Sequence, residues 1–296
     1  MKKLLVFSGP TGVGKTSFAI AIAKQLGAEI ISTDSRQLYS ELNIGVARPT
    51  ELELKTVPHH FIATHSIHNP LNAGSFAVQA RKVLQQIFET NQVAVVAGGS
   101  MLYSEALIHG LDDLPSSLDV KRALELRFSN EGITVLANEL KELDSEYFNI
   151  VDAKNPQRII RALEVIQITG EKYSTLRTGN KTPLNAEVKH FFLNRERDEL
   201  YGRINSRVEQ MFANGLVDEV NSLKEFSSLN ALNTVGYKEI FSHLNGEIEL
   251  SVAQLQIAQN TRNYAKRQLT WFRNREGVQE LNLAHVTPQQ FLNQFL

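Results

Sequence analysis

Short apolar runs alternate with amphipathic segments in the first third of the chain. The runs at Leu4–Phe7, Glu29–Ser32 and Val93–Val96 are brief and centred on consecutive apolar residues, which is typical of buried strands in a parallel sheet. Between them, Lys15–Leu26 and Ser75–Glu89 carry apolar residues at helical spacing. This alternation predicts an α/β fold, with a parallel β-sheet flanked by helices and joined by right-handed crossovers.

The pattern changes after Pro115, where helical periodicity dominates as far as about Thr169. A strand-like segment then returns at Val188–Asn194, so the helical block predicts an insertion into the α/β core. No element is predicted after Glu276. The expected domains are a core of residues 1–114 and 187–296 and a helical insertion of residues 115–186, with further helices at Asp198–Ala213, Leu216–Phe226 and Ser251–Arg273.

Composition narrows the class of protein. The chain has 296 residues, 42% of them apolar, and no cysteine, which excludes disulfides and cysteine-ligated zinc modules. The apolar stretch after Lys2-Lys3 is too short for a signal peptide, and no run is long enough to span a membrane. We therefore expect a cytoplasmic protein with no membrane partner.

The net charge of −1 conceals strong regional differences. Residues 112–146 carry nine acidic and four basic side chains, whereas residues 154–181 carry six basic and two acidic ones. Residues 254–275 carry five basic side chains and no acidic one. Local basic patches of this kind are what a phosphate backbone would contact, so the near-neutral total does not exclude RNA.

The segment Gly9–Thr16, GPTGVGKT, fits the phosphate-loop pattern G-x-x-x-x-G-K-[ST] between a predicted strand and a predicted helix. Its glycines let backbone N–H groups converge on an anion, and the helix N-terminus adds partial positive charge. Lys15 supplies a full charge, and the Thr16 hydroxyl suits a magnesium ion. The motif predicts a phosphate-bearing ligand without deciding the reaction; by itself it would suggest a small-molecule kinase.

Two more polar motifs follow predicted strands. Asp34–Tyr39 (DSRQLY) follows the second strand, and Ala97–Tyr103 (AGGSMLY) spans the end of the third. Ligands of open α/β sheets bind at the carboxyl edge of the strands, so Asp34 should face the same crevice as the phosphate loop. Asp34 could ligate magnesium, act as a general base or cap a turn, and the paired glycines could mark either a close backbone approach or a tight turn.

Six segments occur in an order and spacing that resemble a known family. They are GPTGVGKT, STDSRQLY, IGVARP, VAGGSMLY, NPQRIIRALEV and AKRQLTWFRN, spread over residues 4 to 275. Together they are similar to those of bacterial tRNA dimethylallyltransferases, the tRNA adenosine-37 isopentenyltransferase family. The resemblance implies a P-loop α/β core with a helical insertion, in agreement with the hydrophobic pattern.

The resemblance also implies a reaction. The family transfers the dimethylallyl group from dimethylallyl diphosphate to N6 of adenosine 37, in tRNAs that read codons beginning with U. Asp34 matches the family's general base. Lys15, Thr16 through Mg²⁺, and Arg197 match the groups that stabilise the departing diphosphate. A carboxylate suits the amino group because that nucleophile must lose a proton as the C–N bond forms.

Binding residues carry over from the same resemblance. Those implied for the diphosphate or nucleotide are Gly9, Pro10, Thr11, Gly12, Val13, Gly14, Lys15 and Thr16. Those implied for the anticodon stem-loop of tRNA are Asp34, Ser35, Arg36, Gln37, Ser100, Arg122, Gln157, Arg158, Ile159, Ile160, Arg161, Asn233, Thr234, Val235, Gly236, Tyr237 and Lys238. The chain departs from the usual family pattern at Gly12-Val13, Ser100 and Asn233–Lys238, and the last departure weakens one expected tRNA contact.

The predicted C-terminal helix combines charge with aromatic residues. Arg262 and Lys266 are four residues apart, and Tyr264 and Trp271 are seven apart. Such a helix suits an RNA backbone, although the aromatic side chains could equally belong to the core.

Three other functions share parts of this pattern. An adenylate isopentenyltransferase would use the same core on a free nucleotide with less RNA-binding surface. A P-loop small-molecule kinase would need a nucleoside triphosphate donor, and a non-catalytic RNA-binding protein would have no need of Asp34 in the crevice. The helical insertion and the basic helix favour tRNA, and we expect a Mg²⁺-dependent monomer.

Overall fold

A computed structural model describes residues 1–179, 182–273 and 275–295 and separates the chain into two compact units. The first comprises Met1–Ile108 and Leu184–Leu296, and the second comprises His109–Pro183. These boundaries lie a few residues from the predicted ones. Four residues that the sequence analysis placed in a domain or motif lie outside the described residues: Asn180, Lys181, Asn274 and Leu296.

Among the described residues, a six-stranded sheet organises the first unit, and every pair of neighbouring strands is parallel. The predicted α/β fold is therefore confirmed. The spatial order is β3-β2-β4-β1-β5-β6. The strands are β1 (Lys3–Ser8), β2 (Ile30–Ser32), β3 (His59–His60), β4 (Val93–Gly98), β5 (Glu187–Asn194) and β6 (Val278–Asn282).

Helices cover both faces of the sheet and build the second unit. In chain order they are α1 (Lys15–Leu26), α2 (Glu51–Thr56), α3 (Ala73–Thr90), α4 (Met101–His109), α5 (Leu118–Glu131), α6 (Ile133–Leu143), α7 (Ser145–Phe148), α8 (Pro156–Thr169), α9 (Tyr173–Leu176), α10 (Arg197–Ala213), α11 (Leu216–Ser222), α12 (Tyr237–Leu244), α13 (Leu250–Arg273) and α14 (Pro288–Phe295). Within the described residues, no helix is long and apolar enough to cross a bilayer.

Strand β1 lies between β4 and β5 and is covered on both faces of the sheet. Leu4 and Val6 pack into the core on one face of the sheet, whereas Leu5 and Phe7 pack into the core on the other. Successive side chains of a strand point to opposite faces, so a strand covered on both sides needs a continuous apolar run.

Two sequence expectations differ from the structure. The predicted helix Leu216–Phe226 stops at Ser222 and is followed by a 3₁₀ turn at Lys224–Phe226. The segment after Glu276 forms the edge strand β6 and helix α14. Phe291 of α14 is fully buried against Phe7 and other aromatic rings, so this tail is fixed by a long-range aromatic contact that no local pattern reveals.

The second unit has a core of its own. Helices α5, α6 and α8 pack around fully buried leucines such as Leu136, Leu140 and Leu163. Asn155 caps α8 by accepting a hydrogen bond from the N–H of Arg158, and Gly170 ends the helix in a left-handed conformation. The helical character predicted for this block is what the structure has.

Candidate active site

The predicted phosphate loop lies between β1 and α1, at the carboxyl edge of the sheet. Gly14 directly precedes α1 with φ 106°, a left-handed conformation that favours glycine. A Cβ at Gly9 would lie 2.5 Å from the backbone oxygen of Leu193, so only glycine lets the loop start this close to β5. The loop therefore starts against β5 and leads directly into the N-terminus of α1, where an anion is favoured.

Three arginine side chains hold the loop from the region of α10. They donate to three successive loop residues: Arg195 Nε to Val13 O (2.8 Å), Arg203 Nε to Gly12 O (2.8 Å) and Arg207 Nη1 to Thr11 Oγ1 (3.1 Å). None of these three arginines was predicted from the sequence. Arg203 and Arg207 are four residues apart, so one helix face presents both to the loop. That spacing was the available signal, but many surface helices share it.

Lys15 lies at the base of the loop, and its Nζ donates to the backbone oxygen of Pro10 at 2.8 Å. Withdrawal of the ammonium from water lowers the pKa of Lys15 to about 7, and the negative charge of Asp34 offsets part of that effect. Burial also lowers the pKa of Arg207, which stands near the same carboxylate. The crevice thus concentrates positive charge that water solvates poorly, which is a favourable setting for a diphosphate.

Gln268 of α13 ties two parts of the crevice together. Its side chain is buried, its Oε1 accepts from the N–H of Thr11 (2.9 Å), and its Nε2 donates to Gly99 O (2.8 Å). The amide therefore fixes the phosphate loop relative to the glycine pair after β4. The sequence signal for Gln268 is a polar residue between the apolar Ala265 and Phe272 of one helical face.

Asp34 follows β2 and faces the same crevice. Its Oδ1 accepts from the N–H groups of Arg36 (2.9 Å) and Gln37 (3.3 Å), so the turn-capping role is real. Ser100 fastens this turn to the end of β4, because its Oγ accepts from the N–H of Ser35 and donates to Ser35 Oγ. Asp34 thus has a defined orientation, as a group that exchanges a proton with a substrate requires.

A cavity of about 1500 Å³ joins these groups. Its predicted lining residues are Thr11, Gly12, Gly14, Lys15, Thr16, Asp34 and Gln37, and its unpredicted ones include Arg203, Arg207 and Gln268. Tyr264 of α13 also lines it, and burial raises the pKa of that phenol to about 12. Sequence analysis left the place of Tyr264 open between core and RNA surface; the structure puts it in the cavity wall.

One wall of the cavity is the loop of residues 43–48, which includes most of the IGVARP motif. Glu219 of α11 accepts from the N–H groups of Ile44 (2.7 Å) and Gly45 (2.9 Å) and from the hydroxyl of Tyr237 (2.6 Å). A Cβ at Gly45 would lie 2.5 Å from the Tyr237 ring. Tyr237 is fully buried, so its assignment as a tRNA contact is wrong; it supports this wall.

The other residues predicted to contact tRNA in the first unit have mixed positions. Gly236 is buried beside Tyr237, and its assignment as a tRNA contact is also wrong. Asn233 and Lys238 are exposed, while Thr234 and Val235 are partly buried. Arg36 donates to Asn230 O at 3.0 Å, close to this segment. The segment's polar ends thus remain accessible, whereas its centre is structural.

The second unit holds the rest of the predicted tRNA contacts. Arg122, Gln157 and Arg158 are exposed. Ile159 and Ile160 are buried in the core of that unit, so side-chain contact with tRNA is wrong for both.

Arg161 occupies an intermediate position. It forms an ion pair with the buried Glu164 (2.7 Å) and donates to the backbone oxygens of Leu114 and Pro115. These bonds use its guanidinium to hold the chain entering α5. Arg158 and Arg161 are three residues apart on α8, yet the first is exposed and the second is held by structural hydrogen bonds.

Arg197 does not reach the phosphate loop. Its guanidinium stacks on the ring of Tyr201 at 5.2 Å, the residue is exposed, and it does not line the cavity. The expectation that Arg197 stabilises the diphosphate is therefore corrected: Arg203 and Arg207, further along α10, stand where that charge is needed. Arg197 is the first residue of α10, whereas the side chains of that helix that reach the phosphate loop come from its second and third turns.

The protein oxygens at the site suit a magnesium ion that also binds the phosphates of a substrate. No cluster of three or more histidine, cysteine or acidic side chains occurs among residues 1–179, 182–273 and 275–295. Thr16 and Asp34 do bring a hydroxyl and a carboxylate to the same cavity. Mg²⁺ commonly binds through one or two protein oxygens, waters and substrate phosphates, so these residues fit it.

Comparisons with known proteins agree with this geometry. A family model described as IPP transferase matches residues 37–275. A curated relative from Bacteroides thetaiotaomicron, called tRNA dimethylallyltransferase 1, is 43% identical over 94% of this chain and 91% of its own length.

Two solved structures extend the comparison. The full-length tRNA isopentenylpyrophosphate transferase of Bacillus halodurans is 33% identical, with a TM-score of 0.72 over 99% of this chain and 94% of that chain. A eukaryotic dimethylallyltransferase, described as acting on tRNA, shares the fold with a TM-score of 0.79 at 23% identity, over 95% of this chain and 74% of its own.

Proposed function

The chain belongs to the IPP transferase family, and from that membership we propose that it transfers a dimethylallyl group from dimethylallyl diphosphate to N6 of adenosine 37 in tRNA. The tRNAs concerned are those that read codons beginning with U, and the product is N6-(dimethylallyl)adenosine. The observation that carries this proposal is that Asp34 lines the same cavity as Lys15 and Thr16 of the phosphate loop.

The two halves of that cavity match the two halves of the reaction. The adenine amino group is a poor nucleophile because its lone pair is delocalised into the ring. Asp34 takes a proton from this amino group as the N–C bond forms. The allylic C–O bond breaks, and its electron pair leaves with the diphosphate.

The phosphate loop receives that charge. Backbone N–H groups of the loop, Lys15 and the guanidinium groups of Arg203 and Arg207 stabilise the departing diphosphate. We include Mg²⁺ in the proposal, held by Thr16 and the diphosphate itself; when bound, it neutralises charge on the leaving group. The chain's own contribution is a fixed set of donors at the place where negative charge develops.

The size of the cavity agrees with two substrates. Sites for a single small molecule occupy roughly 300–1,000 Å³. This cavity, at about 1500 Å³, exceeds that range, and a nucleotide base must leave the stack to enter it. Space for a flipped adenosine beside a prenyl diphosphate is what the reaction requires.

A labelled-donor assay tests the proposal. The protein is incubated with Mg²⁺ and labelled dimethylallyl diphosphate, together with unmodified tRNA containing A36-A37 or with free AMP, and EDTA replaces Mg²⁺ in a parallel sample. We expect label in tRNA alone, and none with EDTA. Label only in AMP would assign an adenylate isopentenyltransferase, whereas phosphate transfer from ATP without prenylation would assign a kinase.

The proposal places the chain in the cytoplasm as a monomer. A cysteine-free sequence is compatible with a reducing compartment. Light scattering of the purified protein at assay concentration, with and without tRNA, measures the oligomeric state.

A further inference from the structure

Gln268 lies on the buried face of α13, between the phosphate loop and the end of β4. Only 1% of the residue is exposed, and its neighbours on that face, Ala265 and Phe272, are buried as well. The helix is thus anchored on both sides of Gln268, so packing fixes the place of the side-chain amide. Its acceptor and its donor are both bonded, to Thr11 and to Gly99, as a buried amide requires.

The bond to Gly99 continues to Asp34 in two short steps. Gly99 is followed by Ser100, whose Oγ accepts from the N–H of Ser35 (2.9 Å) and donates to Ser35 Oγ (3.0 Å). Ser35 directly follows Asp34 in the chain. A continuous set of bonds therefore runs from the phosphate loop through Gln268 to the turn that carries the proposed general base.

Gly99 permits this link because it has no side chain. A Cβ at Gly99 would lie 2.5 Å from Gln268 Nε2, and 3.7 Å from both Gly9 O and Lys15 Nζ. The amide, the start of the phosphate loop and the lysine ammonium thus surround one glycine. Displacement of the amide would therefore reach the groups that are expected to hold the diphosphate.

We propose that Gln268 is a positioning residue, which sets the spacing between the diphosphate leaving group and Asp34. It acts through Thr11 and Gly99, not on the reacting atoms. The inference rests on the proposed function and deepens it, because it names the residue that aligns the two halves of the reaction. Such alignment matters because a misplacement of about 1 Å can lower a rate by about 100-fold.

Gln268→Met tests the link, since it keeps the length of the side chain and removes both hydrogen bonds. We expect the single-turnover rate of prenyl transfer, with donor and tRNA saturating, to fall about 100-fold. The Kd values for inorganic diphosphate and for the anticodon stem-loop should stay within about 3-fold, because alignment affects the transition state and not binding. Gln256→Met, at an exposed position of the same helix, is the matched control and should keep the native rate.

Gly99→Ala perturbs the same contact from the other side. The φ angle of Gly99 is not positive, so the backbone accepts alanine, while the new Cβ would displace the Gln268 amide. The transfer rate should again fall about 100-fold. In a protein that already carries Gln268→Ala, the amide is gone, and Gly99→Ala should lower the rate by less than about 3-fold more. Fully additive losses would contradict a shared contact.

Hydrogen exchange tests the link without any reaction. In the native protein the N–H of Thr11 is held by Gln268. In Gln268→Met we expect this amide to exchange at least about 10-fold faster, with unchanged exchange in the middle of α1. The melting temperature of each variant is recorded beside it, so that a local loss of protection is told from general destabilisation.

The outcomes separate this inference from the proposed function. Prenylation of tRNA by the native protein, with a rate in Gln268→Met within about 3-fold of native, would overturn the positioning role and leave the function intact. Equal Thr11 exchange in both proteins would also overturn it, as would equal losses of rate and of diphosphate affinity, which would assign Gln268 to binding. A native protein that prenylates only AMP would refute the tRNA substrate alone, and the same rate comparison on AMP then decides the role of Gln268.

Discussion

The α/β unit and the helical unit use their buried or constrained charges in opposite ways. In the helical unit, Glu164 is satisfied by Arg161, by the hydroxyl of Ser116 and by the N–H of Ser117. These donors also hold the pKa of Glu164 below its usual value, against the opposing effect of burial. The result is a closed network that joins α8 to the start of α5.

In the α/β unit, charges of the same kind converge on a cavity. Arg203 and Arg207 donate hydrogen bonds to the phosphate loop. Asp34 accepts a hydrogen bond from the backbone N–H of Arg36, and its negative charge interacts with the ammonium of Lys15. These charges are oriented without being matched one to one. The difference shows that an arginine–acid composition cannot separate a structural pair from a catalytic cluster; only the partners can.

Removal of the carboxylate from the cavity should give the largest effect. Asp34→Asn keeps an oxygen that accepts from the N–H groups of Arg36 and Gln37, so the turn and the melting temperature should be retained. We expect prenyl transfer to tRNA to fall by about 10²–10⁴, because the general base is lost. Single-turnover kinetics and diphosphate affinity are measured together. A rate within tenfold of the native protein, with affinity unchanged, would remove Asp34 from the role of base.

A matched pair on α10 tests which arginine serves the phosphate loop. Arg203→Ala should lower kcat/KM for dimethylallyl diphosphate by about 100-fold, because a donor near the leaving group is lost. Arg197→Ala, on the same helix but stacked on Tyr201, should stay within about 2-fold. Steady-state kinetics of both variants decide the point. The reverse order of effects would restore Arg197 to the diphosphate site.

The pKa of Lys15 predicts a proton linkage in the α/β unit. In the free protein its pKa is about 7; a bound diphosphate favours the ammonium and raises that pKa. Binding above pH 7 therefore takes up a proton. This linkage weakens the affinity as pH rises, by at most about tenfold per unit.

Calorimetry in two buffers of different ionisation enthalpy counts the protons. Lys15→Met is the matched control, since diphosphate ionises there as before and only the lysine contribution disappears. Equal proton uptake by the native protein and by Lys15→Met would show that the ammonium is already formed in the free protein.

The smallest effects should come from the helical unit, where two arginines three residues apart differ in role. Arg161→Ala leaves Glu164 without its ion-pair partner and should lower the free energy of unfolding by about 2 kcal/mol. Arg158→Ala should change it by less than about 0.5 kcal/mol, while weakening tRNA binding about 3-fold. Urea unfolding and stem-loop titration of both variants test this. Equal stability losses would contradict the separation.

Local sequence patterns predict the main elements of the α/β unit. A continuous apolar run predicts β1, a glycine-rich turn ending in Lys15-Thr16 predicts the phosphate loop, and a polar residue after β2 predicts where Asp34 stands. Each of these features depends on neighbours within a few residues. The edge rule for parallel sheets then brings the loop and Asp34 to one crevice without further information.

Other assignments failed for an identifiable reason. Ile159 and Ile160 lie within a motif that also contains exposed Arg158, and only the packing of α8 against α5 and α6 tells the buried face from the exposed one. Tyr237 was assigned to the tRNA surface, but its ring fills the space beside Gly45 and its hydroxyl reaches Glu219. In both cases a run of residues was treated as one surface, although tertiary packing buries part of the run and leaves the rest exposed.

The sequence by itself determined the α/β class, the phosphate loop and the reaction family, because each is encoded in short segments with strong local constraints. The tertiary structure decided which charges serve the loop. Arg203 and Gly12 are 191 residues apart in the chain, and Gln268 and Thr11 are 257 apart. Contacts over such separations depend on how α10 and α13 pack across the sheet edge. That packing brought Arg203 and Arg207, rather than Arg197, to the phosphate loop.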